Sequence, residues 1–300
     1  MRMSWGLTAM LTDIQNARAL LVPWRMSGPA RALLGKTGSW RIVTRYHSGL
    51  LLQKGKELLF VGTDKTSSGP FNIQLSESQF DVLCKFGDNV ICKGDGVLHF
   101  GSVSLVTTNT PLYTTRAPVL DARQKAFLKS CLADYLSESE TTTGFGSAPF
   151  TLIASLFQKF PAISGTKTKR RQSPFYLFVE YLVGHGQGAT PSGDDFLVGM
   201  MAVHDEPVFQ NEVVRQALLK DATVLVSQGY YRAASDRHFD ETVVLLMESA
   251  MRNDRKQLYR LCDRIKGFGH SSGIDLLTGI LFGLCVSQKI TCASQERIRI

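Results

Sequence analysis

The chain has 300 residues, of which 44% are hydrophobic and 20% charged; this balance excludes wholesale disorder and allows one large or two modest domains, each with a real core. The formal net charge of +8 is moderate and suits anionic metabolites. The bases are scattered apart from a KTKRR run at 167–171, read as a solvated loop, and no zinc-finger, homeodomain or RNP-like pattern accompanies them, so nucleic acid is not an expected partner.

The first 24 residues, MRMSWGLTAMLTDIQNARALLVPW, carry Asp13 and lack both a continuous apolar stretch and a small-residue cleavage site. They predict an N-terminal arm or helix rather than an export signal. From Trp40 to about Val106 the hydrophobic period is near two. WRIVTRY, ELLFVG, FNIQL, NVICKG and VLHFGSVSLV are short runs rich in β-branched and aromatic residues, and KGDGV around Asp95 and Gly96 signals a hairpin. The expectation is six or seven strands in an antiparallel sheet, barrel-like or sandwich-like.

Loop composition, TTNTPLYTTRAP, marks a join within 107–120, and beyond it the period becomes helical. Asp121 is placed to cap a helix that puts Phe127, Leu128, Cys131, Leu132, Tyr135 and Leu136 on one face. SETTTGFGSA (139–148) is a loop, and helical windows follow near 150–159, 174–183, 194–204, 207–227, 239–251, 254–265 and 274–288. The predicted class is α+β, with an N-terminal arm and β-rich domain over 1–115 and a helical domain over 116–300.

Six cysteines, at 84, 92, 131, 262, 285 and 292, form no C-x-x-C pair and have no histidine at metal-ligand spacing. They predict reduced, buried thiols in a cytoplasmic protein. The apolar runs fall short of the ~18 residues needed to cross a bilayer, so no membrane role is expected.

One phrase occurs twice. Ser192-Gly193-x-Asp195-x-Leu197-x-Gly199 lies over Ser272-Gly273-x-Asp275-x-Leu277-x-Gly279, and upstream Gly186 and Gly188 answer Gly267 and Gly269 with one residue inserted. In the first copy Thr190 is a good N-cap, Pro191 suits the first helical position, and Asp194 and Asp195 fall in the first turn. In the second, Ser271 or Ser272 can cap, and Asp275 occupies the matching place. Gly199 and Gly279 recur inside their helices, where each costs about 1 kcal/mol relative to alanine unless a close helix crossing compensates. Two loop-to-helix turns facing across a pseudo-twofold axis would bring orphan N–H groups and two dipole ends together, which suits an anion.

Three readings remain open at this point: well-capped helices and nothing more, an anion or substrate site, and a divalent cation such as Mg²⁺ gathered by Asp194, Asp195 and Asp275. The spacing is neither a dinucleotide fingerprint nor a P-loop. His270, inside the second loop, and His185, flanking the first, are acid–base candidates. Between the copies, Tyr230, Tyr231 and Arg232 stand in YYRAASDRHFDE with His238; Arg232 is of a type that reaches a substrate carboxylate, and an ordinary amphipathic helix is the alternative.

GQGATPSGDDFLVGM together with GFGHSSGIDLLTGILFGL resembles the paired signature of the AllH-like family, named for the small subunit of the three-component oxamate carbamoyltransferase of anaerobic allantoin breakdown. SQGYYRAASDRHFDETVVLL (227–246) resembles the family's segment between the two motifs. The likeness is specific over about residues 180–285 and one of layout before that. Where the family's first motif usually has GLTPS, this chain has Ala189 in place of the leucine. Thr190, Pro191, Ser192, Asp194 and Asp195 match, as do His270, Ser272, Gly273 and Asp275.

The resemblance implies a cytoplasmic protein working with an acyl-CoA-synthetase-like subunit and a larger one. The assembly would convert oxalurate and phosphate to oxamate and carbamoyl phosphate; a homo-oligomer is left open. On this basis Asp195, Asp275 and His270 are the catalytic candidates, and Gly188, Thr190, Ser192, Gly193, Asp194, Ser271, Ser272, Gly273 and Arg232 the substrate-binding ones. No cofactor beyond Mg²⁺ is suggested. The rival expectation is a non-catalytic scaffold subunit.

Overall fold

A computed structural model describes residues 19–85, 89–164, 175–219 and 222–295. The N-terminal arm up to residue 18 and the basic run at 167–171 lie outside the described residues. The chain divides into two compact units, one ending at Thr115 and one beginning at Arg116.

Among the described residues the first unit holds one ten-stranded sheet: β1 (Ala19–Leu21), β2 (Arg25–Ser27), β3 (Thr37–Tyr46), β4 (Gly49–Lys54), β5 (Glu57–Thr63), β6 (Asn72–Leu75), β7 (Asn89–Lys93), β8 (Val97–Phe100), β9 (Val103–Val106) and β10 (Leu112–Tyr113). The order is β1-β9-β8-β7-β3-β4-β5-β6-β2-β10. The hairpin at Asp95 and Gly96 forms as expected, pairing Val90 with Phe100 and Cys92 with Leu98. Both glycines of that turn have positive φ, 82° at Gly94 and 80° at Gly96.

The sheet is mixed rather than antiparallel throughout, because β1–β9, β5–β6 and β2–β10 pair in parallel. It is also strongly curled, by simple geometry. β1 and β2 stand eight places apart in the sheet, which would be roughly 38 Å if the sheet were flat at about 4.8 Å per strand. Yet four Cα steps join Leu21 to Arg25, a reach of about 14 Å. The sheet therefore bends into an incomplete barrel, whose interior is filled by Leu50, Leu52, Leu59, Val61, Ile73, Val90, Leu98, Phe100 and their neighbours.

Strand β4 has no alternating signature, since Leu50, Leu51 and Leu52 are all buried; a strand covered on both faces loses the period of two. Two short helices in this unit also lacked a periodic signal, α1 (Gly28–Leu34) and α2 (Glu77–Leu83). Each is defined by its cap, Ser27 bonding the Ala30 amide and Ser76 with Gln79 forming a capping box.

The second unit is helical. Among the described residues it holds α3 (Ala122–Ser137), α4 (Pro149–Lys159), a 3-10 turn (Pro161–Ser164), α5 (Tyr176–Leu182), α6 (Ser192–Val203), α7 (Pro207–Leu219), α8 (Leu225–Ser235), α9 (Glu241–Met251), α10 (Arg255–Lys266) and α11 (Ser272–Gln295). Asp121 caps α3 through a capping box with Gln124, and Leu128, Cys131, Leu132 and Leu136 are buried on its expected face. The window predicted over 207–227 is two helices, with α8 an additional element. The break between them adjoins Thr223, whose hydroxyl bonds Asp194, and Ala222, whose carbonyl lies against Gly184. Tertiary contacts thus end a pattern that local periodicity would have continued.

The core forms around α6 and α11. Phe282 on α11 stacks on Phe178 at 5.4 Å and on Phe157 at 4.7 Å, with Phe196 tilted against it at 5.4 Å. The two helices touch backbone to backbone. A Cβ at Gly199 would collide with the Leu276 carbonyl, and one at Gly279 with the Phe196 carbonyl. Successive contacts advance together along both helices, down to Gly283 against Met200 and Val203, so α6 and α11 run parallel with their N-termini at the same end.

Five described cysteines are free thiols; Cys92, Cys131 and Cys262 are buried, Cys285 is half-buried, and Cys84, expected inside, is exposed. Among the described residues no helix is long and apolar enough to cross a membrane.

Gly279→Ala should destabilise the chain by about 1–3 kcal/mol through overpacking, despite the roughly 1 kcal/mol that alanine gains in an unconstrained helix. Urea unfolding measures this directly, and an unchanged midpoint would contradict the backbone contact.

Candidate functional site

The glycine-serine turn at the start of each helix is built the same way twice. The Gly193 amide donates to the His185 carbonyl at 2.8 Å, and the Gly273 amide to the Phe268 carbonyl at 3.1 Å. A Cβ at Gly193 would strike the Leu182 carbonyl, and one at Gly273 the Ile265 carbonyl. These pairs set the structural register: His185 answers Phe268, and Gly186 answers Gly269, each with positive φ and each against the serine that opens its helix. The upstream alignment expected from sequence is therefore corrected, because residues 187–191 separate Gly186 from Ser192, whereas only residues 270 and 271 separate Gly269 from Ser272.

That extra length carries Thr190, which is not the N-cap. Pro191 occupies the cap and α6 opens at Ser192. Thr190 instead donates its hydroxyl to Asp195 Oδ2 at 3.0 Å and lies 3.2 Å from Ser272 Oγ.

The central feature is reciprocal pairing across the two copies. Asp195 of the first copy is hydrogen-bonded by Ser272 of the second, and Asp275 of the second is approached by Ser192 of the first, with Ser271 beside it. Asp275 is fully buried. Its Oδ1 accepts the Gly144 amide at 2.9 Å. Its Oδ2 is buried without a hydrogen bond of ordinary geometry, although the Ser192 and Ser271 hydroxyls are near enough to stabilise its charge. Asp195 keeps partial exposure, so the two halves differ in access.

Electrostatics follow from this enclosure. Burial pushes Asp195 up to about 8; the Ser272 and Thr190 hydroxyls oppose the shift, and the Asp275 and Asp194 carboxylates add to it. Burial likewise raises Asp275, against the Gly144 amide and the two serines. The shift favours the protonated carboxyl, whose O–H is a donor at the N-terminal ends of the two helices.

The remaining candidates lie elsewhere. Asp194 is buried and fully engaged: it accepts the Gly184 amide at 2.8 Å, the Tyr231 hydroxyl at 2.6 Å and the Thr223 hydroxyl. It clips three segments together. Arg232 is half-buried on α8, next to Tyr231, and desolvation lowers its pKa. Gly188 and His270 are exposed in their loops. His185 is exposed and stacks on Phe145 at 5.1 Å. Among the described residues no group of three or more His, Cys, Asp or Glu side chains could hold a metal ion, and with Asp194 engaged the three aspartates do not make a cation cage.

Gly144 and Phe145 were missed, since 139–148 has the composition of an ordinary loop. A signal was present: Gly-Phe-Gly stands at 144–146 and again at 267–269. Asp194 is held by Tyr231, which the sequence singles out beside Arg232, and by Thr223, which leaves no comparable trace.

Residues 182–284 match the family described as oxamate carbamoyltransferase subunit AllH. Over that segment the chain is similar to this family. The AllH-like segment contains both copies of the doubled turn, while Gly144 lies outside it. No solved structure matches the chain.

Between the ordinary aspartate value of 3.8 and about 8 the folded chain binds more protons at Asp195 than the unfolded chain does, so this group's contribution to stability declines as pH rises through that window. Asp195→Asn, which mimics the protonated acid, should gain stability relative to the native protein between pH 5 and pH 9. Thermal melts across that range would show it; parallel curves for the two proteins would refute the shift.

Proposed function

We propose that this chain is a subunit of a cytoplasmic oxamate carbamoyltransferase-type complex and binds its small anionic substrate at the doubled turn. The observation carrying this reading is the reciprocal Asp–Ser pairing at two parallel helix N-termini inside the AllH-like segment. With the Thr190 and Ser272 hydroxyls turned onto Asp195, a protonated Asp195 offers its own O–H as a donor without negative charge, which is what a carboxylate or phosphate oxygen requires.

In the proposed reaction a phosphate oxygen attacks the carbamoyl carbon of oxalurate. The tetrahedral intermediate loses its C–N bond, and the departing oxamate nitrogen takes a proton from Asp195. The proton brought by hydrogen phosphate restores the acid, leaving carbamoyl phosphate and oxamate. Asp195 thereby takes the proton-transfer role for which sequence reasoning offered His270. The partner subunits, one acyl-CoA-synthetase-like and one larger, complete the assembly.

A second reading, a non-catalytic scaffold subunit, is favoured by a different observation: the Gly193 and Gly273 amides are already bonded to loop carbonyls. Those two amides cannot then serve a ligand, and the donors left to it are side chains.

Asp195→Asn keeps a hydrogen-bond donor but cannot give up a proton. In the complex reconstituted with its partner subunits it should lower kcat by about 10²–10⁴ with little change in KM, the usual span for a lost general acid. Unchanged turnover would favour the scaffold. Loss of turnover in His270→Ala, with Asp195→Asn active, would transfer the role to His270.

A further inference from the structure

Three atoms surround the Gly144 backbone. A Cβ there would collide with Ser192 Oγ and lie 2.7 Å from Ser271 Oγ and 2.9 Å from Asp275 Oδ2. Glycine is required because a main-chain amide is pressed into a cradle made of one carboxylate and two hydroxyls. The amide satisfies Asp275 Oδ1 at 2.9 Å. The neighbouring Oδ2, on a fully buried side chain, has no hydrogen bond of ordinary geometry, only the nearby Ser192 and Ser271 hydroxyls. A buried carboxylate oxygen without a well-formed hydrogen bond is costly, and a second N–H donor would relieve it. A backbone amide has one N–H; a primary amide has two.

We infer that Asp275 is the specificity-determining residue that recognises the –NH2 group of an amide-bearing small anion, and that Gly144 holds its place when the ligand is absent. This rests on the proposal that the doubled turn binds such an anion, and it adds which atom distinguishes amide from carboxylate. One N–H of the ligand takes over Oδ1 from Gly144 and the other pairs with Oδ2, while Ser192 and Ser271 face the adjoining oxygen. Loop 139–148 must swing away for this.

Its tethers suit that motion. Gly144 contributes one hydrogen bond to Asp275, and Phe145 packs on His185 at 5.1 Å and edge-on to Phe196 at 6.3 Å. The turn is closed on itself, because Thr143 bonds the Ser147 carbonyl through both its amide and its hydroxyl, at 2.9 and 2.8 Å. It can therefore leave as a unit.

Oxamate and oxalate test the idea because they differ by –NH2 in place of a carboxylate oxygen. Calorimetric titration of the full chain should show oxamate bound more tightly than oxalate by on the order of tenfold or more, as expected where a buried acceptor would otherwise face an oxygen. Asp275→Asn puts an amide donor at that position and should reverse the preference. Hydrogen exchange on the native protein supplies a readout that does not depend on the variant folding: the Gly144 amide should lose protection with oxamate and keep it with inorganic phosphate.

Equal affinity for oxamate and oxalate, or an unchanged Gly144 amide with oxamate bound, would overturn the role of Asp275 and leave the anion site standing. Binding of none of the three anions would overturn the anion site and this inference together.

Discussion

The contact on which the second unit depends is between two helix backbones. At Gly199 and Gly279 a carbonyl of the opposite helix occupies the space a Cβ would need. That approach is tight enough to hold the first turns of α6 and α11 side by side, and it places Asp195 near Ser272 and Asp275 near Ser192. Any bulkier residue at the crossing would separate the helices and dissolve the pairing. The glycines at 193 and 273 do the same job one step earlier, seating each helix start on the last turn of the helix before it.

Parallel helices with adjacent N-termini gather two positive dipole ends, and two aspartates placed there would ordinarily be expected as counter-charges. Enclosure changes that outcome for Asp195, where desolvation outweighs the hydroxyl donors and keeps the proton on. The pair is thus symmetric in sequence and asymmetric in access. Asp195 lies toward solvent with Thr190 from the longer loop, and Asp275 is sealed under Gly144. A duplicated motif acquires two roles through what covers each copy.

Much of this was legible in residue order. The doubled Ser-Gly-x-Asp-x-Leu-x-Gly phrase marked two related helix starts, and glycines inside helices announced a close crossing. The change of hydrophobic period after about residue 107 separated a β-rich part from a helical one, and Asp121 with Gln124 marked the start of α3. Strand β4 escaped because three consecutive buried leucines have no alternation. Helix α8 escaped because its break from α7 is imposed by Thr223 and Ala222 meeting Asp194 and Gly184. The parallel pairings and the curl of the sheet join segments far apart in the chain, and no local pattern encodes such partners.

Sequence by itself determined which residue types stand at the two turns and that glycines recur inside both helices, because those are read from residues within a few positions of each other. Tertiary structure decided the rest. It turned Asp194 away to Gly184, Thr223 and Tyr231, drew Thr190 from a cap to a ligand of Asp195, and brought Gly144 from over a hundred positions away onto Asp275. The charge state of a carboxylate depends on what surrounds it in space, and those surroundings come from segments that sequence spacing does not connect.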